Sequence, residues 1–216
     1  MWYNIIIKGA GVPRGKETLK MEKHLYFERE INLIKDESWR AVVADYLDRF
    51  VPAYFWTDGA SSSGKYHPAF SQGEGGLVRH TKAVVMFAEE LLRMSSFMYM
   101  KEHWKDYVII ACILHDTAKY GTKDEPNKDE YRNHASNAAK AFNEYCDDEA
   151  PELLLNAIAA HMGQWSTDKD DRPQTPIDRC VHMADYMASR SFIDIPQIVE
   201  EWEKIHNLEM EDDLPF

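Results

Sequence analysis

Residues 104–119 read WKDYVIIACILHDTAK, and this stretch decides the fold. Trp104, Tyr107, Val108, Ala111 and Leu114 recur at three- and four-residue steps, the spacing of one face of an α-helix. From Val108 to Leu114 the run is apolar without a break, so this helix belongs inside the protein. It ends on His115-Asp116. An ionised Asp is almost never buried without a partner, so the end of the helix has to meet other polar groups in the interior.

The same spacing extends in both directions. Upstream, Leu77, Val84, Phe87, Ala88 and Leu91 define a helix; downstream, Ala138, Ala141, Phe142 and Tyr145 mark another. Pro151 stands at a helix start ahead of Leu154, Ala157, Ile158 and His161, and Pro176 begins a last core helix with Ile177, Cys180, Val181, Ala184 and Ala188. Between Glu22 and Phe50, Leu25, Phe27, Ile31, Ile34, Trp39, Val42, Val43, Tyr46 and Leu47 predict two amphipathic helices. The expected fold is all-α. Residues 1–55 are read as an N-terminal extension, with Ile5-Ile6-Ile7 as an arm or short strand, packed on a main body of residues 56–206. Residues 207–216 are read as an acidic tail.

Composition narrows the function. The chain has 216 residues and is 44% hydrophobic, enough for one sizeable core and too apolar for disorder. A net charge of −12, with no cluster of Lys and Arg, opposes binding to long nucleic acid or an anionic membrane. No stretch approaches the ~20 apolar residues of a membrane span, and MWYNIIIKGAG lacks a charged region before its short apolar run. Cys112, Cys146 and Cys180 are odd in number and show no CxxC spacing. A soluble, cytoplasmic protein is therefore expected, and a small phosphorylated molecule is still compatible as a partner, since a buried metal site can supply the positive charge that the surface lacks.

One motif is set aside. Gly59 to Lys65 spells GxxxxGK, the phosphate-cradling loop, within the Gly- and Ser-rich segment 57–76. A working loop needs Ser or Thr next, and a helix beginning there. Tyr66 stands in that place and His67-Pro68 follows, which disfavours helix. A surface loop is the better reading.

Of nine histidines, His24, His103 and His206 have charged neighbours and read as surface residues. His80, His115, His134 and His161 each begin or end an apolar helical segment and so point toward the interior or its rim. Asp185 shares a helix face with Val181, Ala184 and Ala188, which repeats the problem posed by Asp116. Four imidazoles and two carboxylates brought inward would be costly as isolated groups. Metal ions held between helices resolve all six.

The order His80, His115-Asp116, His134, His161, Asp185 resembles the HD-domain metal-dependent phosphohydrolase superfamily in its six-ligand, two-metal form. Leu114-His115-Asp116-Thr117-Ala118-Lys119 is similar to the LHDxxK signature. His67-Pro-Ala-Phe followed by Gly75-Gly76-Leu77-Val-Arg-His80-Thr81 resembles the HxxxxGGLxxHT stretch of HD modules joined to certain bacterial exoribonucleases. The resemblance covers residues 67 to 190, and residues 1 to 55 have no counterpart in it. It implies an HD-domain helical bundle in which Asp116 bridges two ions. His80, His115 and Asp185 would hold one ion, and His134 and His161 would complete the other. Lys119, one helical turn beyond Asp116, is a candidate for a substrate phosphate oxygen or else a solvated Lys. His182 is a rival ligand or a support for one. Arg79 and Arg190 are candidate phosphate clamps or solvated charges. His67 lies in the matching stretch, and Trp165, with the loop Ser166 to Thr175, would overhang the pocket.

Two divalent ions ~3.5 to 4 Å apart lower the pKa of a bridging water and neutralise phosphoryl oxygens. An imidazole-rich set suits manganese, iron, cobalt, nickel or zinc better than magnesium or calcium. The expected activity is hydrolysis of a phosphomonoester or phosphodiester in a nucleotide or short oligonucleotide. Lys119 stands where one-metal nucleotidases often carry Glu, and His161-Met-Gly-Gln-Trp165 departs from the cyclic-dinucleotide phosphodiesterases. Two alternatives stay open: a di-iron oxygenase on the same scaffold, and a metal-bound regulatory module with little activity.

Overall fold

The computed structural model describes residues 22–61, 67–166 and 168–212. Ile5-Ile6-Ile7 and the Gly64-Lys65-Tyr66 end of the GxxxxGK motif lie outside the described residues. The helices, in chain order, are α1 (Glu28–Ile31), α2 (Glu37–Arg49), α3 (Ala53–Thr57), α4 (Gly76–Arg93), α5 (Glu102–Leu114), α6 (His134–Tyr145), α7 (Glu152–Ala159), α8 (Pro176–Ala188) and α9 (Pro196–Asp212). Short 3-10 turns occupy Lys23–Phe27, Ala69–Ser71, Lys128–Asn133 and Gly163–Trp165. No strand occurs among the described residues, so the fold is all-α as the periodicity predicts.

α5 is the central element. Val108 to Leu114 are all buried, and the helix packs against α4, α7 and α8 at once. α4 lies along α8, and α6 against α7. The starts of these helices are written in the sequence. Thr175 and Asp178 form a reciprocal capping box around Pro176, fixing where α8 begins. α4 begins where Gly75 takes a left-handed φ of 65°, and a Cβ there would lie 2.3 Å from the Trp202 ring on α9. The preceding loop is stitched to α3 by backbone bonds from Gly75 N to Thr57 O and from Leu77 N to Asp58 O, 3.0 and 2.9 Å.

The N-terminal helices are part of the same core. Phe27, Ile34, Leu47 and Phe55 are fully buried in it, and the boundary expected between residues 55 and 56 falls inside α3. Lys82 of α4 is buried and bonds Glu30 Oε2 at 2.8 Å and the Tyr26 carbonyl at 3.0 Å. Tyr54 reaches toward the site: its hydroxyl donates to Gly121 O at 2.7 Å and accepts from Tyr120 N at 2.9 Å. That fixes the backbone just after Lys119. The expected acidic tail is corrected in part. α9 runs on to Asp212, because Ile198, Trp202 and Glu209 are buried on one side of it and Glu209 accepts from the Tyr26 hydroxyl at 2.8 Å.

Candidate metal centre

Five segments deliver the six side chains. His80 projects from the first half of α4, His115 caps the C-terminus of α5, and Asp116 follows it. His134 joins the Lys128–Asn133 turn to α6, His161 lies just beyond α7, and Asp185 sits on α8. His80, His115, Asp116, His134 and His161 are each at most 2% exposed, and the Asp185 side chain is 18% exposed.

Their atoms form two groups that share Asp116. In the first, His80 Nε2 lies 3.0 Å from Asp185 Oδ1, 3.4 Å from His115 Nε2 and 3.8 Å from Asp116 Oδ2. In the second, His134 Nε2 lies 3.0 Å from His161 Nε2 and 3.2 Å from Asp116 Oδ1. Ligands about 2.1 Å from one ion stand roughly 3.0 to 3.4 Å apart in octahedral or tetrahedral arrangement. The observed edges fall near that range.

Hydrogen-bond chemistry tests whether a cation fits. His115, His134 and His161 each place Nδ1 at 2.6 to 2.8 Å from a backbone carbonyl, those of Cys112, Tyr131 and Ile158. A carbonyl only accepts, so Nδ1 carries the proton and each neutral ring presents a bare lone pair at Nε2. Burial, with His115 and His134 beside it, pushes the His161 pKa down to about 3, and burial also lowers that of His115. Neither ring therefore supplies a second proton near neutral pH. The Nε2 atoms of His134 and His161 face one another at 3.0 Å, and Asp116 Oδ1 is buried with no hydrogen-bond donor. Repelling lone pairs converging on a bare carboxylate oxygen are what a cation relieves.

The carboxylates are ionised. Burial alone would raise both, but Lys119 holds Asp116 well below the ordinary range, and the hydrogen bond from His80 lowers Asp185. Lys119 is buried, with its ammonium 2.5 Å from Asp116 Oδ2. Burial would lower its pKa, yet Asp116 outweighs that and raises it, so Lys119 is charged.

The remaining expected site residues divide. His67 joins the centre, its ring 5.5 Å from that of His80 and its Nδ1 buried without a partner; burial and His80 push its pKa down to about 4. His182 donates Nδ1–H to the His161 carbonyl at 2.7 Å, so it supports a member of the second group. Arg79 is a correction to the phosphate-clamp expectation. It is buried away from the centre, bonding the carbonyls of Phe70 and Gln72 with its guanidinium 4.5 Å from the Trp202 ring. Arg190 lies over the Tyr186 ring at 4.1 Å and bonds Ser189 Oγ and Tyr186 O, with no contact to the six. Trp165 stacks on Tyr186 beside His182. Tyr131 was not foreseen. Its ring stacks on His134 and faces the Lys119 ammonium at 5.9 Å.

A helical bundle whose interior holds two imidazole clusters bridged by one buried carboxylate forms a centre that could hold metal ions. The family profile of the HD domain matches residues 77–190, and the chain belongs to the HD-domain family of metal-dependent phosphohydrolases. It is similar to the dihydroneopterin 2',3'-cyclic phosphate phosphodiesterase of Methanocaldococcus jannaschii, at 28% identity over 177 residues covering 76% of this chain and 69% of that protein. No solved structure matches the chain. No helix among the described residues is long and apolar enough to cross a membrane.

Proposed function

We propose that the chain binds two divalent transition metal ions and hydrolyses a phosphodiester, most favourably a cyclic phosphate, in a nucleotide-sized molecule. His80, His115, Asp116 and Asp185 would hold one ion, and Asp116, His134 and His161 the other. The observation that carries this reading is the pair of buried clusters sharing Asp116, with imidazole lone pairs turned toward each other. The named activity of the Methanocaldococcus relative supports the choice of a cyclic phosphate.

Bound there, divalent ions supply Lewis acidity and a water ionised near neutral pH. The protein's own groups do the rest. Asp116 offers one oxygen to each cluster, and backbone carbonyls lock three imidazoles in the ligating tautomer. Lys119, held by Asp116 and by the Tyr54-anchored backbone beyond it, brings a fixed ammonium toward a phosphoryl oxygen. His67 walls the centre on the His80 side with one unbonded ring nitrogen.

The test is metal analysis of the purified protein together with turnover of bis(p-nitrophenyl) phosphate and nucleoside 2',3'-cyclic phosphates. About two manganese, iron, cobalt, nickel or zinc ions per chain with phosphodiester cleavage, both lost in Asp116→Ala, is the expected result. Oxygen consumption without phosphoester cleavage would overturn the reading in favour of an oxygenase.

A further inference from the structure

Asp185, on α8, is the most open of the six, its side chain 18% exposed where the other five residues are at most 2% exposed. The next residue is Tyr186, 41% exposed, and on it lies Trp165, 51% exposed, with ring planes 9° apart and centroids 5.7 Å apart. The Arg190 guanidinium also stacks on Tyr186. Gln164, Trp165, His182, Met183, Tyr186 and Met187 line a cavity of about 320 Å³. Phosphoryl chemistry has no use for two exposed aromatic rings and two methionines. Their planar, polarisable surface suits the π-face of a heterocycle.

We infer that this platform binds the planar, fused nitrogen heterocycle of the substrate, a bicycle of purine or pterin size, while its phosphate lies at the His/Asp centre; the inference rests on the phosphodiesterase reading above. One contact ties the platform to the centre: His182, which lines the cavity, bonds the carbonyl of His161. The same bond fixes the His182 ring beside the platform, and Gln164 adds an amide donor and acceptor to the lining.

The experiment compares guanosine 2',3'-cyclic phosphate with ribose 2',3'-cyclic phosphate, which has no base, using the metal-loaded full chain. In Trp165→Ala the preference in kcat/KM for the guanosine compound should fall about 10- to 100-fold, as loss of one aromatic stacking partner implies. Trp165→Phe should keep most of it. Separately, guanosine alone, added to chelated protein, should quench fluorescence that Trp165→Phe lacks. Quenching in a protein that cleaves neither phosphate would uphold the platform and overturn the hydrolase reading. Cleavage with an unchanged preference in Trp165→Ala would overturn the platform and leave the hydrolase standing. Dissociation of a dimer by Trp165→Ala in sedimentation, with preference unchanged, would assign the surface to a second copy of the chain and likewise overturn it.

Discussion

Replacing Asp116 by Asn in chelated protein isolates the electrostatics of the centre from its catalysis. Asp116 and Lys119 form a buried pair, with side chains 2% and 6% exposed. Removing the carboxylate charge strands a buried ammonium, which costs about 3 to 5 kcal/mol. For a chain of this length, roughly 2 to 4 °C per kcal/mol applies, so the melting temperature should fall by roughly 6 to 20 °C. Lys119→Met should cost less, about 1 to 3 kcal/mol, because the remaining carboxylate keeps polar neighbours, His134 Nε2 at 3.2 Å and His115 Nε2 at 3.6 Å. In the double variant neither charge is stranded, and the summed penalties should be undercut by about 2 to 3 kcal/mol. Urea titrations of the four proteins in chelator complete the cycle. Adding metal should then stabilise the parent by about 4 kcal/mol at a thousand-fold excess over its Kd, and the Asn variant far less. Additivity within about 0.5 kcal/mol would refute the buried-pair argument.

The other predictions concern single contacts. Because His161 titrates at about 3 when folded and near 6.5 when unfolded, the unfolded chain takes up the proton first. Stability of the chelated protein should therefore be flat above about pH 6.5 and fall below it by up to about 1.4 kcal/mol per pH unit from this group, and His161→Gln should flatten the slope between pH 5 and 6.5. The depressed pKa values of Asp116 and Asp185 contribute nothing in that window, since both carboxylates stay ionised in either state. Arg79→Met should cost about 1 to 3 kcal/mol in a denaturation titration through its two abandoned carbonyls, with metal content and KM unchanged; a higher KM at unchanged stability would restore the phosphate clamp. Gly163 has φ 58°, and a Cβ there would fall 2.2 Å from the His182 ring. Gly163→Ala should thus break the His182–His161 contact and weaken metal affinity roughly 10- to 100-fold in a chelator competition, with His182→Ala behaving alike.

What could be read in advance was local. Apolar spacing places α4 to α8 because burial of one helix face leaves a 3.6-residue signature, and polar groups abutting such runs mark all six members of the centre. Direction was harder. Arg79 precedes His80, but adjacent helix positions are turned about 100° apart, so one faces the centre while the other faces Trp202, 123 residues later in the chain. Residues 207–212 are acidic enough to read as part of a tail; they continue α9, where Glu209 is buried and accepts from the Tyr26 hydroxyl of the distant N-terminal segment. Tyr131 gave one faint signal, its place three residues before His134, which acquires meaning only from a recurrence in the structure.

That recurrence is the carbonyl three residues back. His115 bonds Cys112 O, His134 bonds Tyr131 O and His161 bonds Ile158 O. All three histidines terminate a helix or 3-10 turn and turn Nδ1 back onto the carbonyl three residues earlier, so the helix end itself fixes the tautomer and throws Nε2 forward. His80 lies within α4, where the carbonyls are used by the helix, and its buried Nδ1 has no partner; only Asp185, 3.0 Å from Nε2, orients it. In chelated protein, nitrogen-15 NMR of the imidazoles should therefore show three rings protonated at Nδ1 and His80 protonated at Nε2. A metal ligated by His80 Nε2 would require that proton to move to the unpartnered Nδ1 of the same ring, so neither cluster should release a proton from its neutral rings on metal uptake. An Nδ1 found bare in any of the three helix-end histidines would break this account at its root, because the facing lone pairs that call for a cation would then be an ordinary hydrogen bond.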